Sequence, residues 1–496
     1  MSTSSWRAPL RELLASTAAQ HPLSLAVSTP AGTSATFGEL AAASAALSSR
    51  LQPGTRTGVR LGNDLASVVA LHAAWRAGGS VVSLGRLLPD AEVTRRASEA
   101  GCATIVEPDP DGLDARLHPV GAATQARTAP PDEALVMFTS GTTGRPKGAA
   151  IAFSALEASI RGIAAGSGLP PQGRPVRTPA REPQPVFVPV AHMGGFLTSL
   201  TSWWLGKPVL LCHKFSVELV ARIAAESRIG VLRLTPSMVY ELVQAAASVT
   251  LPGVSSVTVG TAPLPETTRV AFEARYGVPV LRNYGQTEFA GAIAFERPDD
   301  VAAGRRPPGS VGRAAPGVQV RIVDTDGMER PRGCIGEIQA RAASAMSGYL
   351  DADGRLSAAT TGGWIATGDL GALDSDGFVS VVGRVKDLIL CGGFNVYPAQ
   401  VESALNRIDG VVDSAVAGVA DDRLGEIPVA VVVVVGGGGG GAGLTEEGLR
   451  QSLRAELAAY ELPRRIRFVA AIPRLDTGKV DRVTVAALLT TEEAAS

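Results

Sequence analysis

Hydrophobic positions along the chain fall into two textures. In the first half, short aliphatic runs alternate with alanine-rich stretches of helical composition: SVVSL at 80 to 84 follows LASVVALHAAWRAGG, and VLLC at 209 to 212 follows a tryptophan-rich segment. Such alternation predicts layered α/β structure. From about residue 311 the runs shorten and turns crowd in, through VQVRIVDTDG, GEIQAR and GFVSVVGR, which predicts a β-rich subdomain over about 311–383. After Arg384 a smaller pattern begins. Strands are expected near 413 to 419, 428 to 435 and 465 to 470, around a helix from about Thr445 to Tyr460. This predicts a C-terminal α+β domain of about 110 residues.

Two segments break these patterns. LPPQGRPVRTPAREPQP, 169 to 185, is too proline-rich for helix or ladder and is expected to be an exposed loop. GGGGGGAG, 436 to 443, reads as a flexible connection.

Composition narrows the function. At 496 residues the chain exceeds one ordinary core, and a net charge of −1 gives no field to draw in nucleic acid or an anionic membrane. The opening 22 residues lack a signal-type apolar core, and the run VAVVVVV at 429 to 435 is far below the ~20 residues that span a bilayer. A cytoplasmic protein with no membrane span is expected. Cys102, Cys212, Cys334 and Cys391 lie far apart, and the five histidines show no metal-binding spacing, so neither a disulfide framework nor a protein zinc site is expected. Cys391 has no histidine in its motif and reads as small apolar filler.

The strongest local signal is ALVMFTSGTTGRPKG, 134 to 148. An apolar strand runs into Thr139, Ser140, Gly141, Thr142, Thr143 and Gly144, then Lys147. Glycines let backbone N–H groups turn toward an anion, hydroxyls add donors and the lysine adds charge, a combination suited to polyphosphate. Pro146 before the lysine and Gly148 after it break the Walker pattern. The following helix is expected to start at a capping box of Ser154 and Glu157.

FTSGTTGRPKG resembles the signature loop of the adenylate-forming superfamily, which contains acyl- and aryl-CoA synthetases, peptide-synthetase adenylation domains and beetle luciferase. NYGQTE (283–288), GEIQAR (336–341), TGDL (367–370), GRVKDLILCGGFNVYP (383–398) and PRLDTGK (473–479) resemble that family's further motifs, in order and nearly end to end. The resemblance implies a large N-terminal α/β domain over 1–383, a hinge at 384–386 and a small mobile α+β lid over 387–496.

It also implies roles for individual residues. Asp369 resembles the carboxylate that accepts the ribose hydroxyls, and Arg384 the cation near ribose and phosphates. Glu288 resembles the Mg²⁺ ligand and Thr287 the hydroxyl on the α-phosphate. Gly260, Thr261, Ala262 and Pro263 resemble the loop along adenine, with Tyr284 on its other side, and Asn283, Gly285 and Gln286 of the same motif are implied to bind ATP or AMP. Lys479 resembles the lysine that brings carboxylate and α-phosphate together. Lys386 matches the hinge position, and Gly392 and Gly393 the face used for thioester formation. His192, Met193, Gly195 and Phe196 resemble the acyl pocket wall, where the missing aspartate disfavours an amino acid substrate.

The implied reaction uses MgATP, a small-molecule carboxylic acid and coenzyme A. An apolar aryl or aliphatic acid becomes acyl-AMP with release of pyrophosphate, and the acyl group then moves to CoA. Loading of a carrier-protein phosphopantetheine is the alternative acceptor reaction. A non-catalytic nucleotide-binding regulator is a third reading, opposed by Lys147, Glu288, Asp369, Arg384 and Lys479. The chain has five lysines against 41 arginines, and three of the five fall on these motifs, as a demand for compact charge would produce.

Overall fold

The computed structural model describes residues 10–120, 126–139, 146–167, 182–227, 229–351, 353–357, 360, 362–435, 444–474 and 480–490. Its first large sheet has eight strands. At its centre Glu133–Thr139, Ser80–Gly85, Arg56–Leu61 and Thr104–Pro108 run parallel, while Lys147–Ala152 turns back antiparallel on Glu133–Thr139. The helix Leu65–Arg76 is buried along all but its last residue, which explains its nearly unbroken apolar and small composition. Its Trp75 is fully buried and donates Nε1–H to the Ala134 carbonyl at 2.8 Å, so the indole's one polar atom is satisfied in the core.

The sheet is also locked electrostatically. Arg56 and Glu133, both buried, face each other through two hydrogen bonds of 2.8 and 2.7 Å. Ser80 donates to the same carboxylate, and Arg56 Nη1 reaches the carbonyls of Ala100 and Gly354. Each polar group of the pair is thereby answered.

A second sheet has nine strands. Val231–Leu234, Ser256–Val259 and Val280–Gln286 are parallel, and from Gly291–Phe295 onward the ladder is antiparallel through Ser310–Ala314, Phe378–Arg384, Ile365–Leu373, Gly336–Ala342 and Val318–Val323. The β-rich run expected over 311–383 is therefore not self-contained. It continues the sheet begun by the parallel strands, through the hairpin that Val280–Gln286 makes with Gly291–Phe295.

A separate sheet holds the C-terminal strands. Ile389–Cys391, Phe394–Val396, Val411–Asp421 and Gly425–Val434 are antiparallel, and Arg465–Phe468 joins parallel to Gly425–Val434. The valine run from 429 to 432 is fully buried, so it reads apolar without alternation. The large N-terminal α/β part and the small α+β part thus have separate sheets and separate cores. Among the described residues no helix is long and apolar enough to cross a membrane.

Three local expectations are corrected. The helix Phe153–Gly166 has Ala152 at its N-cap and no capping box: Ser154 instead bonds Asp132, and Glu157 accepts the Leu10 amide. Long-range contacts there outcompete the local motif. The expected helix from Thr445 to Tyr460 spans only Glu446–Leu453, capped by the Thr445 side chain. The chain then turns so that Tyr460 stacks on Phe394, with ring centroids 4.6 Å apart. Finally, Gln184–Val186 at the end of the proline-rich segment does form a ladder, at the edge of a four-stranded sheet, where Pro185 is tolerated. Residues 169 to 181 of that segment and the glycine run 436 to 443 lie outside the described residues.

Candidate active site

A cavity of about 1760 Å³ opens between the two large sheets and the C-terminal part. The strand Glu133–Thr139 carries Thr139 to its wall, and Lys147 enters beside it because the antiparallel register pairs the two residues. Ser140, Gly141, Thr142, Thr143 and Gly144 lie outside the described residues. Lys147 Nζ sits 5.7 Å from the centroid of the Tyr349 ring. The Tyr349 hydroxyl in turn donates to Glu288 Oε1 at 2.7 Å. Burial, then the Glu288 charge, raises the Tyr349 phenol above its ordinary range, so it remains a donor.

Thr287 and Glu288 line the cavity from a short 3₁₀ turn, Thr287–Phe289, anchored by fully buried Phe289. The turn is pinned from behind. Ser159 Oγ donates to the Ala290 carbonyl at 2.6 Å, and the Met346 amide donates to the Glu288 carbonyl at 2.8 Å. Ala290 is held at φ 46°, a left-handed conformation that costs free energy for a residue with a Cβ.

Asp369 gathers three partners. Its register partner across the sheet is Arg384, whose Nε is 2.7 Å from Oδ1. Oδ2 accepts from the Tyr284 hydroxyl at 2.6 Å and from Gln286 Nε2 at 2.7 Å. Burial and then the Asp369 charge push the Tyr284 phenol well above its usual value. Arg384 and Gln286 line the cavity, whereas Tyr284 packs toward the core and is tied to the carboxylate. Glu337, beside them on the wall, accepts the Gly368 amide at 3.2 Å.

Gly260, Thr261, Ala262, Pro263, Asn283 and Gly285 form another wall. A Cβ at Gly260 would stand 2.1 Å from Asn283 Oδ1, so a larger residue would displace the Asn283 side chain. Thr261 has φ 75°, a strained state for a β-branched residue.

On the acyl side, His192, Met193 and Gly194 line the cavity at the start of the helix Met193–Trp204. His192 is exposed to the cavity yet walled in on other sides; burial, then Arg96, lowers its imidazole pKa. Gly195 and Phe196 depart from expectation. Phe196 is 1% exposed and packs edge-on against Trp75, and a Cβ at Gly195 would meet the Val188 carbonyl oxygen at 2.3 Å. One helical step turns the side chain from cavity to core.

From the C-terminal part, Val412, Asp413, Ile472 and Arg474 reach the cavity, with Arg474 Nη2 2.7 Å from Asp413 Oδ2. Lys479 lies outside the described residues. Lys386 is exposed in the 3₁₀ turn Val385–Asp387. Gly392 and Gly393, at φ 60° and 84°, make the exposed tip of a hairpin away from the cavity wall. Cys391 is buried at 2% exposure. Among the described residues no group of three or more His, Cys, Asp or Glu could hold a metal ion.

Sequence reasoning missed Tyr349, Glu337 and Arg233. Arg233 had a visible signal, a lone charge inside the aliphatic stretch VLRL.

A two-layered α/β body facing a small α+β unit, with a cavity lined by paired Thr139 and Lys147, by Glu288 and by an Arg384 tied to Asp369 behind it, defines an adenylate-forming ligase. The chain belongs to the AMP-binding enzyme family: that family's model matches residues 14–350, and the AMP-binding enzyme C-terminal domain matches 400–479. It is 34% identical over 403 residues to a sulfoacetate–CoA ligase of Cupriavidus necator, covering 80% of this chain and 76% of the relative. It is 33% identical over 367 residues to an indoleacetate–CoA ligase of Aromatoleum aromaticum, covering 73% and 68%. Among solved structures, ATP-bound MatB from Rhodopseudomonas palustris superposes with a TM-score of 0.83 at 28% identity, over 97% of this chain and 98% of that one.

Proposed function

We propose that the protein joins a small carboxylic acid to coenzyme A in two steps. A carboxylate oxygen attacks the α-phosphorus of ATP and pyrophosphate leaves; the CoA thiol then attacks the acyl carbon and AMP leaves with the bridging oxygen. The observation that carries this reading is a single cavity lined at once by Thr139 and Lys147, by Gly260 to Pro263, by Thr287 and Glu288, by Arg384, and by His192 and Met193. Polyphosphate, nucleoside and acyl groups can share that space.

The chemistry divides accordingly. Carboxylate is a weak nucleophile that needs no base, so the first step asks for alignment and charge neutralisation. Lys147 and Arg384 both supply cationic charge to the cavity. Asp369, with both oxygens already oriented by Arg384, Tyr284 and Gln286, is set to accept two vicinal ribose hydroxyls. Glu288 fits a Mg²⁺ ligand: Tyr349 holds Oε1, Oε2 has no partner among the described residues, and one carboxylate suffices where phosphates provide further oxygens. The metal would neutralise phosphate charge there.

Lys479 is assigned to the adenylation step by its motif. The arm that precedes it supports this, because Ile472 and Arg474 line the cavity while Gly392 and Gly393 do not. We place the hinge at 384–386. Arg384 is held by Asp369 of the N-terminal part, Asp387 is bonded to Arg482 of the C-terminal part, and Lys386 between them is exposed. The relatives' acids, sulfoacetate and indoleacetate, span an anionic and an aromatic substituent and leave the class of acid to this chain's own pocket.

The test is acid-dependent pyrophosphate release across aryl, aliphatic and dicarboxylic acids, followed by thioester formation with CoA or a holo-carrier protein. Lys479→Ala should abolish pyrophosphate release yet convert supplied acyl-adenylate to thioester. Lys386→Pro should spare adenylation and block thioester formation. Equal loss of both half-reactions in either variant would refute the assignment.

A further inference from the structure

Arg233 lines the cavity but has no part in the reaction proposed above, and unlike Arg282 on the same cavity it has no carboxylate partner among the described residues. It lies on the strand Val231–Leu234, where parallel register sets it beside Thr258 and sets Thr258 beside Leu281. Strand alternation points Leu232 and Leu234 into the core, both about fully buried at 1% and 2% exposure. Val231, Arg233, Ser256, Thr258 and Leu281 occupy the opposite face and line the cavity. The guanidinium is therefore presented to the cavity interior.

It has no counterion there. Arg233 Nε is shut off from water without a hydrogen-bond partner, and the side chain makes no ion pair among the described residues. What surface it keeps faces the cavity. The cavity's carboxylates have other partners: Glu296 pairs with Arg282 and Arg306, Glu288 accepts from Tyr349, Glu337 accepts the Gly368 amide, and Asp413 pairs with Arg474. Burial alone acts on the guanidinium, lowering its pKa, and no carboxylate opposes that effect. A walled-in cation is costly without an anion, and arginine is the side chain best suited to bind a carboxylate or sulfonate through paired hydrogen bonds.

The position relative to the reaction is also fixed. Thr258 precedes Gly260 by two residues, roughly 7 Å of strand. The next residue, Thr261, has Cγ2 3.9 Å from where a Gly194 Cβ would stand. Arg233 thus lies one strand away from the segment whose Thr261 approaches Gly194, on the cavity that His192 and Met193 also line.

We propose that Arg233 binds a second anionic group, a carboxylate or sulfonate, at the end of the acid substrate remote from the carboxylate that is activated. This rests on the acid–CoA ligase reading and replaces a wholly apolar substrate with a bifunctional one. Arg233 is then the specificity-determining residue of the acyl lobe.

The test compares kcat/KM for pyrophosphate release on matched pairs: glutarate against pentanoate, adipate against hexanoate, and 3-sulfopropanoate against butanoate. The wild-type enzyme should favour the acid with the second anion by roughly 10- to 100-fold, the effect of one charge-assisted contact. Arg233→Met should bring that ratio to about one, and Arg233→Lys should restore part of it. Because the ratio is taken on one preparation, it does not depend on the fraction folded. A wild-type preference for every monoacid, or an unchanged ratio in Arg233→Met, would overturn the proposal while leaving the ligase reading intact. Absence of pyrophosphate release with every acid, together with no ATP binding by calorimetry, would overturn the ligase reading and this proposal with it.

Discussion

Replacing Tyr284 with phenylalanine isolates one hydrogen bond in the nucleoside wall. The hydroxyl donates to Asp369 Oδ2 at 2.6 Å, and the same oxygen accepts from Gln286 Nε2 at 2.7 Å while Arg384 holds Oδ1. A hydrogen bond to a charged group contributes about 1.5–3 kcal/mol. Gln286 remains, so Oδ2 is not stranded, and the loss belongs near the lower end, about 1.5 kcal/mol. If Asp369 must be oriented to accept the ribose hydroxyls, that loss appears as a roughly tenfold rise in KM for ATP. The value of kcat should move by less than about threefold, since the contact is made equally in ground and transition states. The assay is pyrophosphate release at saturating acid with ATP varied. Burial and the Asp369 charge hold the phenol protonated, so the ratio of variant to wild-type KM should be flat from pH 7 to 9. A change in KM below about twofold, or an equal fall in kcat alone, would refute the orienting role.

Other consequences are structural. Glu133→Ala strands the buried Arg56 guanidinium and should cost about 3–5 kcal/mol in urea unfolding, with Arg56→Met in the same chain restoring part of it; a loss under about 1 kcal/mol would contradict the lock. His72 is buried against Trp75 and Trp203, its Nε2 has no partner among the described residues, and burial draws its pKa down to about 3. The unfolded chain takes up that proton near 6.5 and the folded one only near 3, so stability falls as pH drops below 6.5. Between pH 6.5 and 5 the loss is about 2 kcal/mol, and His72→Leu should lose that much less over the same range; parallel stability–pH curves would contradict this. Gly195→Ala would drive a Cβ into two backbone carbonyl oxygens and should destabilise by more than about 2 kcal/mol. Gly194→Ala meets only ordinary contacts at 3.6 and 3.9 Å, so it should fold normally and raise KM for bulky acids; equal melting behaviour of the two variants would refute the distinction.

These sites show what was legible in the sequence. The apolar strand leading to Thr139 and the nearness of Lys147 were legible in contiguous sequence, whereas the return strand Lys147–Ala152 that pairs the two residues was not. The strands expected near 413 to 419 and 428 to 435 are present as Val411–Asp421 and Gly425–Val434, because their apolar patterns are long; their antiparallel pairing came from the structure. Contacts across distant segments were not legible. Tyr349 meets Glu288 from 61 residues away, and neither residue's neighbours announce the other. Ser154 and Glu157 matched a local capping motif but serve Asp132 and Leu10, partners that only the tertiary fold supplies. Phe196 was placed with the acyl wall by its motif, and one helical step put it in the core. Arg233 was anomalous in its strand, but its meaning required knowing that Ser256, Thr258 and Leu281 share its face.

The central claim is that a carboxylate oxygen attacks the α-phosphorus within this cavity. Supplying the acid labelled with oxygen-18 in both carboxylate positions, together with ATP, magnesium and CoA, tests it directly. One labelled oxygen should appear in AMP for each thioester formed, with none in pyrophosphate. Label in inorganic phosphate with formation of ADP, or thioester formed alongside unlabelled AMP, would contradict the account.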